Sequence, residues 1–217
     1  MSSSPADFLA DSVKDFVAAL AAPTPAPAGG SAAAVTAAQG AALLAMAAAI
    51  TVRRTSPMPA ATDLTRAGDW AAAAAVRLLE LAVADSNAFE ALLAARRAAR
   101  DRALDAAAAA QAGLTAAQSA VIDTPLAVCR TCIQLLDDAA ALARHYRASV
   151  APDAWAGVQL VVTGARISLD NARINAQMGG PAEDRTAALR AVAVTAAELT
   201  RAWDAVQVAF AFLHEDE

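Results

Sequence analysis

Four places in this 217-residue chain carry residue types that could do chemistry. The first is PTPAPAGGS, residues 23 to 31, where three prolines forbid a helix and Gly29 and Gly30 allow special backbone angles. Ser31 can cap the apolar helix that follows. Free N–H groups and the helix dipole would make Gly29, Gly30 and Ser31 an anion site, although the same residues also suit a tight turn that permits close packing. No Lys-Ser/Thr pair follows at the spacing of a P-loop. The second place is Asp85 in LAVADSNAFEALL, inside an otherwise apolar helical stretch. Such an Asp either faces solvent or, if buried, requires a partner. The third is Asp153, which follows Pro152 in a first helical turn, where a carboxylate is favoured by the dipole alone. The fourth is LDNARINAQ, which sets Asn171 and Asn175 four apart on one face, with Arg173 and Arg166 on another. Asn is a poor helix former, so two stacked amides suggest a polar network or a ligand contact.

The elements that must position these residues are helices. Alanine accounts for 68 residues and aromatics for 4%, a composition that favours helix and disfavours a large sheet. Alanine faces let helix axes approach closely but bury little area each, so the fold needs many long contacts, which in proteins of this kind often extend between subunits. The net charge is −5, and no basic cluster is interleaved with aromatics, so nucleic acid is not an expected partner. Cys129 and Cys132 are too few for a disulfide framework. A zinc site would need two more ligands, and His145 and His214 are the only histidines, so the thiols read as reduced and at least partly buried, in a cytoplasmic protein. Residues 31–52 carry no charge and are long enough to span a membrane. Alanine dominates them, however, and they read as a buried central helix. The first 20 residues hold Asp7, Asp11, Lys14 and Asp15 and do not read as a secretion signal.

Periodicity and breakers divide the chain as follows. Residues 1–7 read as a flexible tail, and 8–217 as a single helical domain. A first helix runs from about Phe8 to Ala21, with Leu9, Val13, Phe16, Val17 and Leu20 as its apolar stripe. A second ends near Val52, with Arg53 and Arg54 in its last turn. A third starts at Thr62 or Asp63 and reaches about Ala95, with Leu64, Trp70, Val76, Leu79, Val83 and Phe89 inward. Arg96 to Gly113 is a solvated extension or a separate helix after a bend. Ala120 to Leu126 reads as a break, with Pro125 opening the next helix. Pro152 opens a helix that Gly179, Gly180 and Pro181 stop after Met178, and a last helix spans about Ala182 to Phe212. The fold class is all-α, an antiparallel bundle of six to eight helices.

In order and spacing these segments resemble the cyclodeaminase/cyclohydrolase family of folate enzymes. SVKDFVAALAAPTPAPAGGSAAAV resembles that family's opening helix and TPGGGS-type loop. AMAAAITV resembles its helix end before a basic turn, and DSNAF its D-x-x-A-F pattern. DTPLAVCRTC resembles its D-V-P-L segment, APDAWAG its N-x-x-S-D pattern, and NARIN its N-V-x-x-N segment. The chain departs from the family at Ala28, where the first glycine of the triplet stands, and at Ala49, where an Asn stands. Ser149 and Pro152 replace the Asn and Ser before the matched Asp, and RRTSPMP leaves Arg54 as the nearest cation of the basic turn.

The resemblance implies an all-helical homodimer that acts on a tetrahydrofolate derivative and needs no metal. Carried over by position, the pocket comprises Gly29, Gly30, Ser31, Asp85, Asp123, Asp153, Asn171 and Asn175, with Arg54 beside it. Hydrolysis of 5,10-methenyltetrahydrofolate to 10-formyltetrahydrofolate needs a carboxylate to orient or deprotonate water. Asp85 is the first candidate and Asp153 the second. A formiminotetrahydrofolate cyclodeaminase would instead close a ring and expel ammonia. In either case Asn171 or Asn175 would read the pterin edge, and Arg54 or the glycine-loop amides would hold the anionic glutamate tail. The departures motivate two other readings, a repurposed relative that binds another ligand or a protein, and a structural helical oligomer.

Overall fold

The structure, a computed structural model, describes residues 12–54, 60–100, 107–179 and 182–214. Among these residues it is an all-α bundle of six helices. They are α1 (Val13–Leu20), α2 (Gly29–Arg54), α3 (Ala61–Arg100), α4 (Ala107–Leu142), α5 (Ala151–Met178) and α6 (Ala182–Ala209). Short 3-10 turns follow α4 at Ala143–His145 and α6 at Ala211–Leu213. The expected tail, Phe8 and Leu9, and the residues Gly180 and Pro181 lie outside the described residues.

The central helix is α2, packed against α3 on one side and α5 on the other. Ala33, Ala34, Ala37, Ala41 and Ala47 are fully buried along it. Length and composition would let α2 cross a membrane, but here neighbouring helices cover much of it. The α2–α5 crossing is closer than alanine alone allows. A Cβ added to Gly40 would fall on the Gly157 carbonyl oxygen, and one added to Gly164 on the Ala33 carbonyl oxygen. These two backbones therefore touch, which fixes the ends of α2 relative to those of α5.

The structure corrects several local expectations. α2 begins at Gly29, so Ser31 stands inside its first turn and does not cap it. α3 continues through Arg96 and Arg97 to Arg100. In α1 only Phe16 packs on the core; Val13 and Val17 are 74% and 58% exposed. Val76, expected inward, is 59% exposed. The largest difference is at Pro125, which opens no helix and lies in the interior of α4. Proline there cannot donate to the carbonyl four residues earlier, that of Val121. The Asn175 side-chain amide donates to that carbonyl instead, at 2.8 Å. A long-range bond thus replaces the missing helical one, and α4 runs on unbroken.

Cys129 and Cys132 are free and buried. Burial pushes the Cys129 thiol up to about 12, so both side chains serve as core. The core is one large cluster, with a smaller one of Ala88, Leu92, Ala117 and Val121 between α3 and α4. Aromatic residues concentrate at the end of the bundle where α5 begins. Trp155 stacks with Trp203 at 6.0 Å and meets Phe210 at 5.4 Å.

Candidate active site

The first turn of α2 faces the middle of α3, and there the chain places Asp85. Gly30 is buried, and a Cβ on it would fall within the Asp85 carboxylate. Gly30 is therefore required by space, since no left-handed backbone angle is present at either glycine. Ser31 is fully buried. Its hydroxyl donates to the Ala82 carbonyl oxygen at 3.1 Å and more distantly to Asp85 Oδ2 at 3.4 Å, and it shares a hydrogen bond with the Ser86 hydroxyl at 2.9 Å. The backbone N–H of Ser31 also bonds to the Asp85 carboxylate. Asp85 thus gives α2 the N-terminal carboxylate that a capping residue would usually supply. Burial raises the Asp85 carboxyl from its ordinary value, and the two Ser31 hydrogen bonds oppose that rise only in part.

A cavity of about 170 Å³ opens beside this contact. Gly29, Gly30, Asp85, Asn171 and Asn175 line it, together with Pro25, Ser86, Phe89 and Val121. Asp85 is the one ionisable side chain of that lining. The two asparagines differ in how far they are committed. The Asn175 amide nitrogen is held by Val121, while Asn171 is half-buried and has no hydrogen-bond partner among the described residues. Asn171 is thus free to donate to and accept from a bound molecule.

Sequence reasoning missed Ser86, Phe89 and Val121 as parts of the site. Ser86 stood inside the DSNAF segment, next to Asp85, and its position facing Ser31 was the available signal. Phe89, expected in the core from its spacing, forms a wall of the cavity.

Three expected site residues lie elsewhere. Arg54 ends α2, and 24 residues of helix separate it from Gly30, about 36 Å. It is exposed, and its carbonyl accepts from Arg147. Asp153 is exposed in the first turn of α5, 18 residues or about 27 Å from Asn171 along the same helix. Asp123 is exposed on α4 and faces a separate recess with Gln118, Gly179 and Arg185. An open groove of about 920 Å³ between α4 and α6 holds no expected site residue. Among the described residues, no three of His, Cys, Asp and Glu form a group that could hold a metal.

A half-buried carboxylate, a glycine-seated helix N-terminus and facing amides around one cavity, set in a helical bundle, have the make-up of a small-molecule site. Comparison with known proteins gives the family. The formiminotransferase-cyclodeaminase family model matches residues 12–197, and the chain belongs to that family. It is 29% identical over 167 residues to a methenyltetrahydrofolate cyclohydrolase of Methylorubrum extorquens, covering 77% of this chain and 80% of that relative. The fold is that of the crystal structure of formiminotetrahydrofolate cyclodeaminase from Thermotoga maritima. The TM-score is 0.82, with 22% identity, 94% of this chain covered and 97% of the other.

Proposed function

We propose that the chain hydrolyses 5,10-methenyltetrahydrofolate to 10-formyltetrahydrofolate at the Asp85 cavity. The carrying observation is a half-buried carboxylate, raised from its ordinary value, seated at a helix N-terminus and opening into a cavity with an uncommitted amide. The relative named as a methenyltetrahydrofolate cyclohydrolase supports the substrate. The substrate's amidinium carbon is cationic and electrophilic. Asp85 takes a proton from water, and the water oxygen bonds to that carbon. The bond to N5 then breaks as the carbonyl forms and N5 takes up a proton, so that one proton is released overall. A single carboxylate meets these demands, since it removes the water proton and balances the cation. In this reading Asn171 and the Asn175 carbonyl, which line the cavity, bond the pterin edge, and Phe89 gives it an apolar wall.

Asp153 does not share this proposal, because it stands about 27 Å away along α5. The reading also includes a cytoplasmic homodimer. Exposed Ile167, Ile174 and Met178 form a stripe along α5 that a second copy would cover, as sedimentation measurements would show. Loss of methenyltetrahydrofolate absorbance with purified protein tests the reaction, with 5-formiminotetrahydrofolate and ammonia release assayed beside it. Ammonia release alone would replace hydrolysis by cyclodeamination. Absence of binding to either substrate would favour a repurposed relative.

A further inference from the structure

The cavity beside Asp85 is about 170 Å³, below the range of sites that enclose a whole drug-sized ligand. A methenyltetrahydrofolate with its reacting carbon at Asp85 would fill it with its fused ring system and leave the aryl group and the anionic tail outside. The tail-holders expected from sequence are not placed to reach that tail: Arg54 lies far off, and the glycine-loop amides border the inner cavity itself. Arg54 is at the other end of α2, and the amide at the α2 N-terminus already bonds Asp85.

Pro25 is a wall of the inner cavity and also a wall of an adjoining open groove of about 490 Å³. The floor of both is α3. From inside to outside, α3 presents Ser86 and Phe89 in the cavity, then Leu93 and Arg97 in the groove. These positions are three, four and four residues apart, so they share one helix face. The order is hydroxyl, aromatic ring, aliphatic side chain, guanidinium. Arg97 is exposed and has no carboxylate partner among the described residues. It lies 12 residues from Asp85, about 18 Å along the axis, and a long side chain shortens the gap to a ligand. Glu90 also lines the groove, one turn before Leu93, and opposes an anion there.

Resting on the folate reading above, we infer that this groove seats the aryl-glutamate tail of the substrate, with Arg97 bonding its carboxylates and Leu93 underlying the aryl group. Arg97 is a specificity-determining residue that recognises the anionic tail and takes no part in the reaction at Asp85.

The test compares two substrates with the full-length protein: methenyltetrahydrofolate, and a methenyltetrahydropterin whose aryl group ends in a neutral amide. In Arg97→Ala, KM for the glutamylated substrate rises about tenfold, as expected for losing a charge-assisted hydrogen bond, while kcat holds. KM for the neutral-tailed substrate stays within about twofold. Glu90→Gln shifts only the glutamylated KM, and downward. Calorimetric binding of the glutamylated substrate should follow the same pattern. Equal effects of Arg97→Ala on both substrates, or no effect on either, overturn the tail site while leaving the Asp85 reaction standing. Wild-type protein that neither converts nor binds the glutamylated substrate overturns the folate reading, and this inference with it.

Discussion

The two ends of the α2–α5 pair have different fillings. Where α5 begins, the space is taken by large rings: Trp155 against Trp203, Phe210 against Tyr146. Asp153 at that end is exposed and serves the N-terminus of its own helix. Where α5 ends, the neighbours are Gly29, Gly30 and the small cluster of Ala88, Leu92, Ala117 and Val121, and a cavity is left. Asp85 at that end serves the N-terminus of a different helix, and its carboxylate borders the cavity. Both aspartates stand at a helix N-terminus. The one contributed from a neighbouring helix is half-buried and borders a cavity, whereas the one that opens its own helix is exposed to solvent.

Substitutions can sharpen this contrast. The largest effect is expected at Asp85: Asp85→Asn lowers kcat by about 10²- to 10⁴-fold, the usual scale of a lost general base, as read by absorbance decay. Gly30→Ala should approach that loss, because its methyl group displaces the carboxylate. The same Asp85→Asn change should raise thermal stability near neutrality. A carboxyl raised on folding favours the folded state fully only below its unfolded range, and that contribution is lost as pH rises through the folded value. The gain in Tm therefore shrinks as pH falls into the ordinary carboxylate range.

Next in size is Asn175→Ala, which orphans the Val121 carbonyl and should cost about 1–3 kcal/mol in denaturant unfolding. Pro125→Ala supplies the missing backbone N–H, so the double variant should recover part of that loss, a coupling of about 0.5–3 kcal/mol. Asn171→Ala should leave stability within about 0.5 kcal/mol and raise KM. The smallest effect is expected at the aromatic end. Asp153→Asn should cost at most about 1 kcal/mol of stability and leave kcat/KM unchanged within twofold.

The helical class and most helix limits were legible, because Ala content, Gly and Pro punctuation and the spacing of Leu and Val all point the same way. Pro125 misled because a breaker read locally implies a break, and its compensation comes from Asn175, 50 residues later in sequence. Asp85, Gly30 and the asparagines were legible as exceptions to the alanine background. Their roles were only half legible. Glycine loop amides read as free for an anion, yet the chain's own Asp85 fills that position, a packing fact with no local sequence signal. Asp153 and Arg54 carried the resemblance but not the geometry, since residues near in motif order stand at opposite ends of long helices. Phe89 had the spacing of a core residue, and only tertiary structure places it in a cavity wall.

The central claim is that the half-buried Asp85 carboxylate is the base of the reaction. The pH dependence of kcat/KM for methenyltetrahydrofolate hydrolysis, in wild type and Asp85→Asn, tests it most directly. The account predicts an acid limb in wild type, displaced upward from the ordinary value of an aspartate, with activity falling below it, and the loss of both the limb and the rate in Asp85→Asn. A folded Asp85→Asn variant that keeps the wild-type rate and the same acid limb would contradict it.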